Sequence, residues 1–214
     1  MTIPLPRLTP EALRDAVLEM CDMAGRMLGL IRDAFLRHSP AALEQVGALG
    51  RDLHLREKRL TDHVAMQLRE YPWSLGTAEH LAFLPAALER IGDSVESLAR
   101  CVSTVHQEGI PFSDQATAEV LDLFGRASAL VERLGVVIRV GERAGLAIIR
   151  EEGHQFQAVS DGAATGHQER LLRGDCAPRA SSLFLAMLDY FREIERYTRR
   201  MSGDLEKAFA ATSP

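Results

Sequence analysis

Cysteine is scarce in this chain. Its 214 residues hold three, Cys21, Cys101 and Cys176, far apart and with no CxxC pair. Neither a disulfide framework nor a thiolate zinc site follows, and a reducing compartment is the expectation. Long apolar runs are also missing. None approaches the roughly 20 residues needed to cross a bilayer, and the richest stretch, Leu134 to Val140, is interrupted by Arg139. The first residues lack a basic segment followed by an apolar one, because Glu11 and Asp15 fall where the apolar run belongs. No secretion signal is expected. Basic charge is not in excess: 25 Lys and Arg face 30 Asp and Glu, for a net charge of −5. A dedicated nucleic-acid binder, which must neutralise phosphates, is disfavoured, although a local basic patch is not. HExxH, GxSxG, a Walker loop and GxGxxG are all absent, as is any alternating strand pattern. What remains, 46% hydrophobic and 26% charged residues, is the composition of an ordinary soluble globular protein.

The chain reads as helix almost throughout. Thr9-Pro10-Glu11 combines a hydroxyl cap, a proline at the first position and an acid near the positive end of the helix dipole. Leu13, Val17, Met20, Ala24, Met27 and Ile31 follow at helical spacing. Ser39-Pro40 repeats the start signal ahead of the stripe Leu43, Val46, Leu49, Leu53, Leu60, Val64 and Leu68, and Tyr71-Pro72-Trp73-Ser74 breaks it. Trp73 in this turn reads as a cap on the end of a bundle or as a partner anchor. The third helix carries the clearest face, from Leu81 through Leu88, Ile91, Val95 and Leu98 to Val105. Pro85 either kinks it or marks its first turn, and Gly109-Ile110-Pro111 ends it.

Ser113-Asp114 opens a second set of three. The fourth helix ends in a turn between Gly141 and Gly145, and the fifth is expected from about Leu146 to Leu172. Arg173 to Pro178 is a stop followed by a start, and Phe184, Met187, Phe191, Ile194, Thr198, Met201 and Leu205 make the sixth stripe. The expected fold is all-α: two tandem three-helix bundles of long antiparallel helices, residues 1–111 and 112–214. Each helix would be roughly 40 Å long. Matching element order suggests an internal repeat, without obvious residue-by-residue similarity.

Chemistry concentrates on the third helix. Glu89 and Asp93 stand four apart and share a face beside the apolar stripe. Such a pair suits Mg, Mn, Fe or Zn. By spacing alone it reads more often as a solvated face, with Arg90 or Arg100 close by. On the second helix Glu57 shares a face with His54 and Thr61. The single ExxH, Glu151 to His154, falls short of the two pairs and two further glutamates of a di-iron bundle.

Leu88-Glu89-Arg90-Ile91-Gly92-Asp93-Ser94-Val95 resembles the signature of the PhoU family, cytoplasmic regulators of phosphate uptake built from two three-helix bundles. Glu57-Lys58-Arg59-Leu60-Thr61 is similar to the acidic segment on that family's second helix. His167 to Leu171, followed by Gly174 to Pro178, resembles the connection in PhoU-like domains of sodium–phosphate cotransporters, and Ile194-Glu195-Arg196-Tyr197 echoes the first signature. The likeness spans about residues 15 to 208.

It implies metal ligands at Glu57, Glu89 and Asp93 in the first bundle only, with Fe, Mn, Zn or Mg as the cation. Thr61 stands where the family has a second acid. In the second bundle the fifth helix offers Gly153 and Gln157 at the acidic positions. Pairing Glu195 with Glu89 puts Arg199 at the aspartate, whereas pairing Ile194 with Ile91 puts Arg196 there. Either arginine would take the cation's place and hold Glu193 or Glu195.

The implied function is a non-enzymatic regulator of phosphate transport and signalling that docks on a phosphate transporter or a sensor kinase. It would be cytoplasmic, peripheral at the inner membrane only through a partner protein, with no nucleic-acid role. Long amphipathic helices also permit a homodimer. The alternatives are a metal-binding bundle with catalytic or storage activity, and a helical scaffold for an unrelated partner.

Overall fold

The computed structural model describes residues 7–70 and 81–211. The expected break at Tyr71 to Ser74, and with it Trp73, lies outside the described residues. Six helices make up the fold: α1 Pro10–Arg37, α2 Pro40–Glu70, α3 Leu84–Gln107, α4 Asp114–Val140, α5 Arg143–Leu172 and α6 Pro178–Ala211. The start signals in the sequence act as read. Thr9 accepts from the Ala12 N–H at 3.2 Å, Ser39 from Ala42 at 3.3 Å and Ser113 from Ala116 at 3.2 Å. Each satisfies a backbone donor that the helix itself leaves open. Pro85 sits in the first turn of α3, where its missing N–H costs nothing, so it starts the helix and does not kink it. The α4–α5 turn is tighter than expected. Gly141, at φ 72°, caps α4 through a 2.8 Å bond to the Val137 carbonyl, and α5 begins at Arg143, three residues before Leu146.

Helices α1, α2 and α3 pack on one another, and so do α5 with α4 and α6 and α4 with α6. The two sets join through α1 on α4 and α3 on α6, contacts as extensive as those within a set. One continuous apolar core results. At its centre Phe124 of α4 meets Phe191 of α6 edge-on at 4.8 Å and lies 6.4 Å from Phe35 of α1. The buried faces of the two sets share one register. Leu13, Val17, Met27 and Ile31 of α1 stand at the same spacing from Ala116, Val120, Leu130 and Leu134 of α4 as Leu53 and Leu60 of α2 from Phe156 and Ala163 of α5. Leu88, Ile91 and Leu98 of α3 repeat it with Phe191, Ile194 and Met201 of α6. This register pairs Ile194 with Ile91, so Arg196 corresponds to Asp93, Glu195 to Gly92 and Arg199 to Glu96. Among the described residues no helix is long and apolar enough to cross a membrane.

Two histidines sit where protonation is resisted. His106 stacks on His38, ring centroids 3.9 Å apart, and both burial and the neighbouring His38 hold its pKa below the ordinary 6.5. His167 is 2% exposed, and burial with the nearby Arg170 lowers its pKa as well. Below about pH 6.5 the unfolded chain therefore binds protons that the folded chain refuses. Stability is expected to fall as pH drops from 6.5 towards each lowered pKa, then to level off. Urea unfolding at about pH 7.5 and about pH 5.5, above most carboxylate titration, should show a lower midpoint at the acidic value. His106→Gln should flatten part of the difference.

Candidate functional site

Periodicity on α3 places Glu89, Gly92, Asp93 and Glu96 on one side of the helix, against Gly50, Arg51, Leu53 and His54 of α2. Between them lies a pocket of about 350 Å³. Glycine is what lets the two helices approach. A Cβ on Gly92 would overlap the buried Leu53 side chain, and one on Gly50 would overlap the Glu96 carboxylate. The helices therefore meet closely through Gly50 and Gly92, and the acidic side chains stand around the contact.

Glu89 is the more buried of the expected acidic pair, with its side chain 19% exposed, and its Oε1 lies 3.2 Å from His54 Nδ1. Asp93 is half-exposed and accepts from the Arg90 guanidinium at 3.4 Å. Glu57 accepts from the Thr61 hydroxyl at 2.9 Å, one turn along α2 from His54 and outside the lining of the pocket. The structure thus brings Glu89, Asp93 and His54 to one pocket and leaves Glu57 beside it. Sequence reading passed over Glu96 and Arg51, which also line the pocket. The signal was available: Glu96 lies seven residues after Glu89, two helical turns along the same face.

Three carboxylates against one guanidinium give the pocket an acidic wall, suited to a cation and unsuited to a free anion. Carboxylate and imidazole are fitting donors for a hard or borderline cation. Among the described residues, however, no three His, Cys, Asp or Glu side chains are gathered as a metal site. A cation at Glu89 and Asp93 would first displace His54 from one and Arg90 from the other.

The matching region of the second half is built differently. Glu195 of α6 is 2% exposed, and it is held by Arg199 Nε at 2.7 Å and by the Gln157 side chain at 3.2 Å. Gly153 on α5 makes the space, since a Cβ there would come within 2.8 Å of Glu195 Oε1. Arg196 pairs separately with Glu193 at 2.5 Å. A buried carboxylate is thus paired with a guanidinium of its own helix through a charge-assisted hydrogen bond.

Comparison with known proteins places the fold. Residues 17–102, which include most of α1 through α3, match the PhoU domain family model. Three solved structures share the fold: PhoU from Pseudomonas aeruginosa, with a TM-score of 0.83 at 16% identity over 94% of this chain and 97% of that one; the phosphate transport system regulatory protein PhoU from Streptococcus pneumoniae, at 0.80 and 10% over 93% and 94%; and a PhoU-like protein from Shewanella oneidensis, at 0.66 and 11% over 93% and 100%. No curated protein matches the sequence.

Proposed function

We propose, from the premise that residues 17–102 are a PhoU domain within an all-α PhoU fold, that this protein is a non-enzymatic regulator of phosphate transport and signalling. It acts from the cytoplasm by docking on a phosphate transporter or its sensor partner. The observation that carries the reading is the Glu89-Arg90-Ile91-Gly92-Asp93 segment, set on α3 within the matched domain and facing α2 across an acidic pocket. An acidic wall argues that the protein does not sense phosphate by binding it there; control passes through protein contacts. The shared burial register of the two halves supports reading them as a duplication. In that reading the first half keeps an acidic pocket and the second has filled its counterpart with an ion pair.

The regulatory reading is tested by deleting the gene and following phosphate uptake and phosphate-starvation gene expression in phosphate-replete medium. Deregulation of both is expected. Unaltered uptake and expression would sink it.

Glu89 and Asp93, with Glu57 beside them, are the groups we propose to hold a divalent or transition metal when one is present. Protein loaded with iron, manganese, zinc or magnesium should lose its bound metal in the Glu89→Ala/Asp93→Ala variant. Neither carboxylate is fully buried and their partners His54 and Arg90 are exposed, so stability should change by less than about 1 kcal/mol. Elemental analysis beside helical circular dichroism separates the two effects. Stoichiometric, redox-active metal would favour the catalytic or storage alternative.

A further inference from the structure

A second pocket, of about 230 Å³, lies between the α3–α4 connection and the α5–α6 turn. Its wall is mostly apolar, with Pro111, Phe112, Ala180 and Phe184, and three titratable side chains line it, Cys176, His167 and Asp175, the last paired with Arg173 at 2.9 Å. Cys21 and Cys101 are buried, whereas Cys176 keeps partial exposure.

The surroundings of Cys176 are fixed in place. Gly174, at φ 80°, lets the turn close, and the Asp175 N–H donates to the Arg170 carbonyl at 2.9 Å. The Cys176 Sγ lies 4.0 Å from His167 Nδ1. That imidazole is stacked on Phe184, ring centroids 4.8 Å apart, and its Nε2 is buried without a hydrogen-bond partner. Arg170, 3% exposed, is anchored by two bonds to Glu119 at 2.9 and 2.7 Å and also interacts with Cys176. Burial and Arg170 hold His167 below the usual imidazole pKa, with Glu119 opposing them, so near pH 7 the ring is unprotonated and serves as a base only transiently. A thiol within reach of an unprotonated imidazole, opening into a cavity, has the geometry of a nucleophile–base pair.

We propose that Cys176 is a covalent modification site, oxidised by small organic hydroperoxides that enter this pocket, with His167 as its base. His167 Nδ1 takes the thiol proton. The thiolate attacks the terminal hydroperoxide oxygen, so an S–O bond forms and the O–O bond breaks. The departing alkoxide takes its proton from His167. Cysteine is oxidised to the sulfenic acid and the hydroperoxide is reduced to its alcohol. The aromatic and aliphatic wall accommodates the alkyl group.

The test treats the full chain with tert-butyl hydroperoxide, traps sulfenic acid with dimedone, and locates the adduct by peptide mass spectrometry. Cys176 should be labelled ahead of Cys21 and Cys101, about tenfold or more faster than free cysteine. His167→Asn should remove that advantage while circular dichroism shows the helices retained. A wild-type Cys176 that reacts no faster than free cysteine overturns the proposal without recourse to any variant. An unchanged rate in a folded His167→Asn protein also overturns it.

Discussion

Arg199→Ala should cost the native state about 3 kcal/mol, the lower end of the range for removing one partner of a buried ion pair. Glu195 is 2% exposed and its Oε1 receives the Arg199 Nε bond at 2.7 Å. With the guanidinium gone, the carboxylate keeps only Gln157, a neutral donor at 3.2 Å. Water reaches the outer side of Arg199, which is 39% exposed, and that holds the loss to the lower end. For a chain of this size the melting temperature should fall by about 6–12 °C. Adding Glu195→Gln to Arg199→Ala should recover most of the loss, because no unpaired charge then remains buried. A single variant as stable as the wild type would mean that the pair does not hold α6 as described. The contrast with Glu89→Ala/Asp93→Ala is the informative one. Neighbouring positions on the third helix of each set are nearly neutral for stability in one half and costly in the other, because only Glu195 is fully buried, whereas Glu89 and Asp93 keep 19% and 51% exposure.

Phe124→Ala should be the most damaging single change, at about 4 kcal/mol. The ring is fully buried, edge-on to Phe191 and in contact with Phe35, so it touches helices of both sets. Truncation leaves a cavity that α1, α4 and α6 would all have to move to fill, and long packed helices collapse poorly onto such a void. Because the core is continuous, the variant should unfold in one transition at a lower denaturant midpoint, with helical signal and Phe-core packing lost together. Two separated transitions would show that the sets fold independently and that the α1–α4 and α3–α6 contacts contribute little.

Sequence alone determined the helices and most of their ends. Capping hydroxyls, prolines at first turns and glycines at left-handed positions act within a few residues of themselves, so Thr9, Ser39, Ser113 and Gly141 could be read without a partner helix. The apolar stripes likewise named most of the core, because a helix face that repeats every three or four residues has to be buried against something. The Glu89–Asp93 face was legible for the same reason. The start of α5 was not, since its first turn, Arg143 to Gly145, carries no capping side chain and a glycine.

Tertiary structure decided what each polar residue on those faces does. Spacing sets Glu195 beside the apolar stripe, four after Phe191, but does not reveal that Gly153 and Arg199 seal it there while the half-exposed Glu193 pairs with Arg196. Nor does spacing choose between the two registers relating the halves; the common burial pattern does, by pairing Ile194 with Ile91. The proximity of Cys176 to His167 depends on how the α5–α6 turn folds back over the last turn of its own helix. Local backbone preferences are set by neighbours along the chain. Burial, charge neutralisation and the meeting of a thiol with a base depend on which faces the packed helices present to one another, and on the few glycines that let those faces come close.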